Sequence, residues 1–192
     1  MLGRRIVLAS ASPYRKKLLM DAGVECIVLP SNVDESLQPK IKPEAYAREL
    51  AVRKAQATAP RCGDALVIGA DTICAIGDEI IGKPADEADA ERMLVRACES
   101  GLQRVISGIA VIDTRDMTTR SAAITSLVEM RDTPIEVIRA YVKSGEPMGK
   151  CGALCIESGQ SFVKRWEGSY SNIMGLPIEW LLPTLLELAS RR

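Results

Sequence analysis

Residues 6–15 read Ile6-Val7-Leu8-Ala9-Ser10-Ala11-Ser12-Pro13-Tyr14-Arg15, and this stretch decides the fold class. A short apolar, β-branched run is followed by a turn, and a helical pattern then passes through Leu18, Leu19 and Ala22 to a stop at Gly23. The reading is strand, turn, helix. Ser12 takes the N-cap position and Pro13 the first helical position, so the free N–H groups of the helix face whatever lies beyond the strand's carboxyl end. Arg15, Lys16 and Lys17 place positive charge in the opening turns, against the helix dipole. An anion nearby would relieve that conflict.

Working outward, residues 24–29 form a second strand, 30–42 a polar loop carrying Asp34 and Glu35, and 43–59 a helix. Residues 66–70 are an apolar run ending in Asp71-Thr72, and 73–81 a hairpin folded at Gly77-Asp78. A helix over 86–98 precedes two long antiparallel strands, 105–112 and 119–130, joined at Thr114-Arg115-Asp116. An amphipathic helix at 134–143, a Gly-rich irregular stretch at 145–159 and a final helix at 177–189 complete the pattern. Residues 162–166 and 170–174 are expected to pair as strands across Glu167-Gly168-Ser169. No repeat, low-complexity segment or linker divides the chain, so residues 1–192 read as one α/β domain with a mixed sheet.

Composition narrows the chemistry. The 192 residues carry 25 Lys and Arg against 25 Asp and Glu, which leaves no global field to draw the chain onto nucleic acid or an anionic membrane. Any polyanion site must be a local cluster of basic residues. The absence of histidine removes Ser-His and Cys-His catalysis, His-containing zinc sites and the usual near-neutral proton shuttle. Acid and base work falls to carboxylates and lysines. The six cysteines form no CxxC pair and read as mostly buried small apolar residues. The apolar run after the basic residues 1–5 ends at Ser10, too short for a signal peptide, and nothing approaches the roughly 18 apolar residues of a membrane helix. The expectation is a reduced, cytoplasmic protein.

Three places could hold chemistry. The Ser10 to Arg15 turn joins hydroxyls, helix N–H groups and a guanidinium into a phosphate cradle, or is simply a capped helix. Tyr14 within it is either a core aromatic or a platform for a base. Asp71 follows a buried strand where open α/β sheets place their ligands, or caps a turn. Asp34 and Glu35, if folded toward Asp71, would add the oxygen donors that Mg²⁺ takes beside substrate phosphate; alone they are a solvated acidic pair. Lys54 and Lys83 are either surface residues or cleft cations, with Gly82-Lys83-Pro84 fixing the backbone of the second. The segment Gly149-Lys150-Cys151-Gly152-Ala153 could present N–H groups to a ligand or be an ordinary loop, with Glu157 facing the same region or solvent.

In this order the segments resemble the Maf family of nucleoside triphosphate pyrophosphatases. The resemblance runs from about Ile6 to Leu188. It rests on Ser10-Ala11-Ser12-Pro13-Tyr14-Arg15, Asp34-Glu35, Ala51-Val52-Arg53-Lys54-Ala55, Gly69-Ala70-Asp71-Thr72, Gly82-Lys83-Pro84, Gly168-Ser169-Tyr170-Ser171-Asn172 and Gly175-Leu176-Pro177. It implies a two-lobed α/β fold of the Maf and ITPase type, with a twisted central mixed sheet, flanking helices and a deep groove. It also implies hydrolysis of a nucleoside triphosphate to monophosphate and pyrophosphate, and a divalent cation, Mg²⁺, Mn²⁺ or Co²⁺. Members often pair as homodimers.

Carried over by residue, the resemblance gives phosphate binding to Ser10, Ser12, Arg15, Lys54 and Lys83, proton acceptance to Asp71, and metal ligation to Glu35 and Asp71. Base choice falls to Tyr14, Thr72 and Glu157, and these disagree. Thr72 resembles members that take dTTP and UTP, whereas Tyr14 and Glu157 resemble members that take 7-methyl-GTP, where an aromatic face would attract the cationic purine. Where members often show His and Thr, this chain has Gln103-Arg104-Val105-Ile106-Ser107-Gly108. A nucleotide-binding regulatory protein tied to cell division is the alternative to an enzyme. Intact Asp71, Lys54 and Lys83 favour the enzyme.

Overall fold

The computed structural model describes residues 3–35 and 41–191. The 30–42 loop therefore lies partly outside the described residues. Strand β1 (Ile6–Leu8) leads into helix α1 (Pro13–Asp21), and β2 (Ile27–Val28) into α2 (Pro43–Thr58). Strand β3 (Leu66–Ile76) turns into β4 (Glu79–Ile81), followed by α3 (Glu87–Ser100), β5 (Leu102–Asp113), β6 (Thr118–Met130) and α4 (Ile135–Lys143). Strand β7 (Val163–Glu167), the short helix α5 (Tyr170–Ile173) and α6 (Ile178–Ser190) close the order.

Among the described residues one mixed sheet forms, in the order β2-β1-β3-β5-β6-β7, with β4 paired to β3. The strand pairs β1 with β2 and β1 with β3 are parallel, and the others antiparallel. One apolar cluster gathers α1, α6 and the first half of β3, including Leu19, Leu66, Ile68 and Leu185. Another gathers α3, α4 and the far ends of β3, β5 and β6, including Cys74, Leu94, Val105, Val128 and Phe162. Two lobes thus share the long strands.

Helix α2 crosses the sheet at unusually short range. A Cβ on Gly69 would lie 2.1 Å from the carbonyl oxygen of Ala51, and one on Gly108 would lie 1.9 Å from that of Ala47. Neither position can carry a side chain unless the helix moves. With alanines at 47, 51 and 55 on its buried face, α2 has small residues where it meets these glycines.

Two expectations change. Residues 170–174 do not make a strand: Ser169 caps a helix there, its Oγ accepting from the backbone N–H of Asn172 at 2.9 Å. Strand β7 pairs with β6 instead, Leu127 opposite Glu167 and Val128 opposite Trp166. Asp71, expected at a strand's carboxyl end, lies inside β3, which runs on to Ile76. The parallel partner β1 stops opposite Ile68, so Asp71 still sits just past the end of its neighbour. No helix among the described residues is long and apolar enough to cross a membrane.

Candidate active site

A cavity of about 740 Å³ opens between the lobes. The ten residues singled out in the sequence, Ser10, Ser12, Tyr14, Arg15, Glu35, Lys54, Asp71, Thr72, Lys83 and Glu157, all line it.

On one wall the turn after β1 delivers the expected cap. Ser12 Oγ accepts from the backbone N–H of Arg15 at 3.4 Å, and Pro13 opens α1, which has no acidic residue in its first turn. Arg15 folds back across the turn. Its guanidinium donates to Ser10 Oγ at 3.0 Å, to Thr72 Oγ1 at 3.1 Å and, through Nε, to the Gly175 carbonyl at 2.9 Å. Burial lowers the Arg15 pKa from its ordinary value, against the opposing charges of Asp71 and Glu35. All three of these acceptors are neutral. A half-buried guanidinium held by neutral acceptors, beside the positive end of a helix, favours an anionic ligand.

The same cavity holds the acidic centre. Lys54 is 6 % exposed and Asp71 7 %, and Lys54 Nζ lies 2.6 Å from Asp71 Oδ1. The same ammonium is 2.7 Å from Glu35 Oε1. One lysine therefore holds two carboxylates from β3 and from the loop before α2. Burial pushes the Glu35 carboxyl upward, but the hydrogen bond and charge of Lys54, helped by Lys83 and Arg15, outweigh it and leave Glu35 below its usual value. The Tyr46 hydroxyl donates to the Glu35 carbonyl at 2.7 Å and so ties that loop to α2. Lys83, exposed on the backbone after β4, reaches the cavity from the far lobe.

Two of the residues marked for base choice, Thr72 and Tyr14, have partners within the protein. Thr72 Oγ1 shares a 2.9 Å hydrogen bond with Ser107 Oγ and approaches the Gly175 carbonyl at 3.3 Å, besides accepting from Arg15. Its hydroxyl steadies the guanidinium. Over the Tyr14 ring sits Lys150 Nζ, 4.1 Å from the centroid. Glu157 is exposed at the cavity margin.

The sequence reading missed several contributors. The Gly175 carbonyl orients Arg15, and only a motif flagged that glycine. Cys151 Sγ accepts from the Cys74 backbone N–H at 3.0 Å and donates to the Ile81 carbonyl at 3.0 Å, stitching the Gly-rich segment to β3 and β4. The Gly152 N–H donates to Gly82 O at 2.9 Å, next to Lys83. Gln103, 2 % exposed, also lines the cavity.

A strand-turn-helix anion cradle sharing one cavity with a lysine-bridged pair of carboxylates is an arrangement for handling phosphate esters or anhydrides. The chain matches the family model described as Maf-like protein over residues 5–188, and it belongs to that family. Among its curated relatives is the dTTP/UTP pyrophosphatase of Geobacter sulfurreducens (strain ATCC 51573 / DSM 12127 / PCA), 47 % identical over 178 residues, covering 91 % of each chain. The dTTP/UTP pyrophosphatase of Syntrophus aciditrophicus (strain SB) is 35 % identical over 192 residues, covering 99 % of this chain and 93 % of that one. Among solved structures, a HAM1 protein from Coxiella burnetii superposes with a TM-score of 0.47 at 18 % identity, over 68 % of this chain and 75 % of that one.

Proposed function

We propose that this chain is a nucleoside triphosphate pyrophosphatase that takes dTTP and UTP, cutting between the α- and β-phosphates to release the monophosphate and pyrophosphate. The observation that carries the reading is Lys54 gripping both Asp71 and Glu35 in the cavity that the Arg15 cradle also lines. The curated relatives bearing the name dTTP/UTP pyrophosphatase supply the substrate class.

In this reading Arg15, Ser10 and the α1 N-terminus receive the triphosphate, and Lys54 and Lys83 balance the charge that gathers on the departing pyrophosphate. Asp71 orients a water for attack at the α-phosphorus and accepts its proton. A divalent cation fits the donor set. Asp71 and Glu35 offer hard carboxylate oxygens drawn to one spot by a shared lysine, and Mg²⁺ or Mn²⁺ is commonly held by one or two carboxylates plus substrate phosphate. Once bound, such a cation neutralises phosphate charge and lowers the pKa of its water. Among the described residues no group of three or more His, Cys, Asp and Glu gathers as a ready-made metal cage.

Lys150 bears on the base. Its ammonium already covers the Tyr14 face that a cationic methylated purine would need, which supports a pyrimidine over 7-methyl-GTP. The test is a panel of dTTP, UTP, CTP, GTP, dITP and 7-methyl-GTP with Mg²⁺, Mn²⁺ or Co²⁺, scored for monophosphate and pyrophosphate. Preferential turnover of dTTP and UTP is expected. Release of orthophosphate instead of pyrophosphate, or inactivity on every triphosphate, overturns the proposal.

A further inference from the structure

A hydroxyl stands inside an apolar strand. Ser107 is 0 % exposed in β5, directly across the ladder from Thr72 of β3, and the residues around it, Val105, Ile106 and Ile109, belong to the core. Thr72 and Arg15 line the cavity, whereas Ser107 is buried too deeply to touch a ligand. A hydroxyl in such a place is costly unless its hydrogen bonds are made, and alanine would fill the position without that cost.

The partners of the two hydroxyls assign their protons. Ser107 Oγ donates to the Asn172 carbonyl at 3.1 Å, which uses its single proton. The 2.9 Å contact between the hydroxyls is then filled by the Thr72 proton, with Ser107 accepting. Thr72 keeps its lone pairs for Arg15, whose Nη2 donates to it at 3.1 Å. The chain runs one way, from the guanidinium through Thr72 and Ser107 to the Asn172 carbonyl. In the other arrangement Thr72 donates to the Gly175 carbonyl, but that contact is longer, 3.3 Å, and the oxygen already accepts from Arg15 Nε at 2.9 Å. Asn172 is itself anchored, since its Nδ2 donates to the Val105 carbonyl and to Ser126 Oγ. One turn, 172–175, thus grips the guanidinium twice, at Nε directly through Gly175 and at Nη2 through Thr72 and Ser107.

We infer that Ser107 is a positioning residue, acting through Thr72 to fix the Arg15 guanidinium for the phosphates of the substrate. The fold itself does not depend on its hydroxyl. In Ser107→Ala the Asn172 carbonyl keeps the Gly175 N–H at 2.9 Å and Thr72 keeps the Gly175 carbonyl within reach, so no polar group is stranded. What changes is the guanidinium: Thr72 turns to the carbonyl that Arg15 Nε uses, and the grip at Nη2 is released. The inference rests on the nucleotide-hydrolysis reading for the anion that Arg15 receives, and adds a residue that this anion never meets.

A double-mutant cycle tests this, because a residue that only supports the fold would not be coupled to Thr72. Calorimetric titration with inorganic pyrophosphate and kcat/KM for UTP are measured on the wild type, Ser107→Ala, Thr72→Val and the double variant, with thermal unfolding alongside. Ser107→Ala should unfold close to the wild-type temperature, yet bind pyrophosphate and turn over UTP more weakly by roughly 5–20-fold. With Thr72→Val in place, Ser107→Ala should cost nothing further. Wild-type binding and turnover in Ser107→Ala, or losses that simply add to those of Thr72→Val, overturn the inference and leave the pyrophosphatase reading in place. A coupled loss of pyrophosphate binding in a protein that cleaves no triphosphate upholds the positioning role and overturns the reaction. Should Ser107→Ala fail to fold, Ser107→Cys, whose thiol is a weak acceptor, must show the same coupled loss for the inference to stand.

Discussion

Gly108 stands directly across the β3–β5 ladder from Asp71, and the room left by its missing side chain is filled by the backbone of α2 at Ala47. The same helix carries Lys54, whose ammonium reaches Asp71 at 2.6 Å. A glycine thus sets how closely the helix can bring its cation to the carboxylate. Gly108→Ala should push α2 outward, cost about 1–3 kcal/mol or more as an overpacked core, and lower activity. Thermal unfolding together with turnover checks this. Unchanged stability would mean that the helix does not rest on the sheet at that point.

Asp71→Asn keeps the shape of the side chain and removes its charge and basicity. Turnover should fall by roughly 10²–10⁴, the range for a lost general base, with the circular dichroism spectrum unchanged. Full activity would remove Asp71 from the reaction.

Away from the cavity, Asp113 is 1 % exposed and lies 2.9 Å from Arg4 and 2.8 Å from Arg115. The hydrogen bond from Arg4, aided by Arg115 and opposed by burial, holds its carboxyl well below the usual range. The folded pKa lies under the unfolded one, so the stabilisation is complete above the ordinary carboxylate value near ~3.9 and is lost as pH falls through the folded value. Asp113→Ala should cost about 1–3 kcal/mol at neutral pH, since Arg4 loses its buried partner but keeps its 2.6 Å pair with Asp64, and Asp113→Asn should flatten the acid limb of stability. Urea denaturation at pH 7 and pH 3 measures both. An acid limb as steep in Asp113→Asn as in the wild type would assign the acid sensitivity to other carboxylates.

Lys150 over Tyr14 makes a prediction about selectivity. Lys150→Ala uncovers the ring, and the ratio of kcat/KM for 7-methyl-GTP to that for UTP should rise by about 2–30-fold, the scale of a cation–π contact. No change in the ratio would show that the Tyr14 face does not meet the base.

What the sequence made legible was local. Ser12, Pro13 and Arg15 announced the cradle because capping and the first turn are settled within a few neighbouring residues. The hairpin at Gly77 and the limits of α2 were legible for the same reason. Residues 170–173 misled because their composition suits a strand, while a tertiary contact decides the matter. Asn172 Nδ2 donates to the Val105 carbonyl at 3.1 Å and to Ser126 Oγ at 2.9 Å, which fixes the segment as a helical turn. Ser169, a capping residue directly after a glycine, was the available signal. The hydrogen bond that Thr72, marked for base choice, accepts from Arg15 was not legible, since a residue's partners across a sheet are invisible in a linear motif. Gln103 stood out only as a departure from the family pattern, and its burial beneath Gly152 depends on a loop about fifty residues away.

Three strands, β3, β5 and β6, pass without interruption from one lobe into the other. Hinge closure needs a few connecting residues free to change their backbone angles, and residues locked in a ladder on both sides have no such freedom. The lobes therefore hold one fixed separation, and the width of the cavity between them is a gauge already set before any ligand enters.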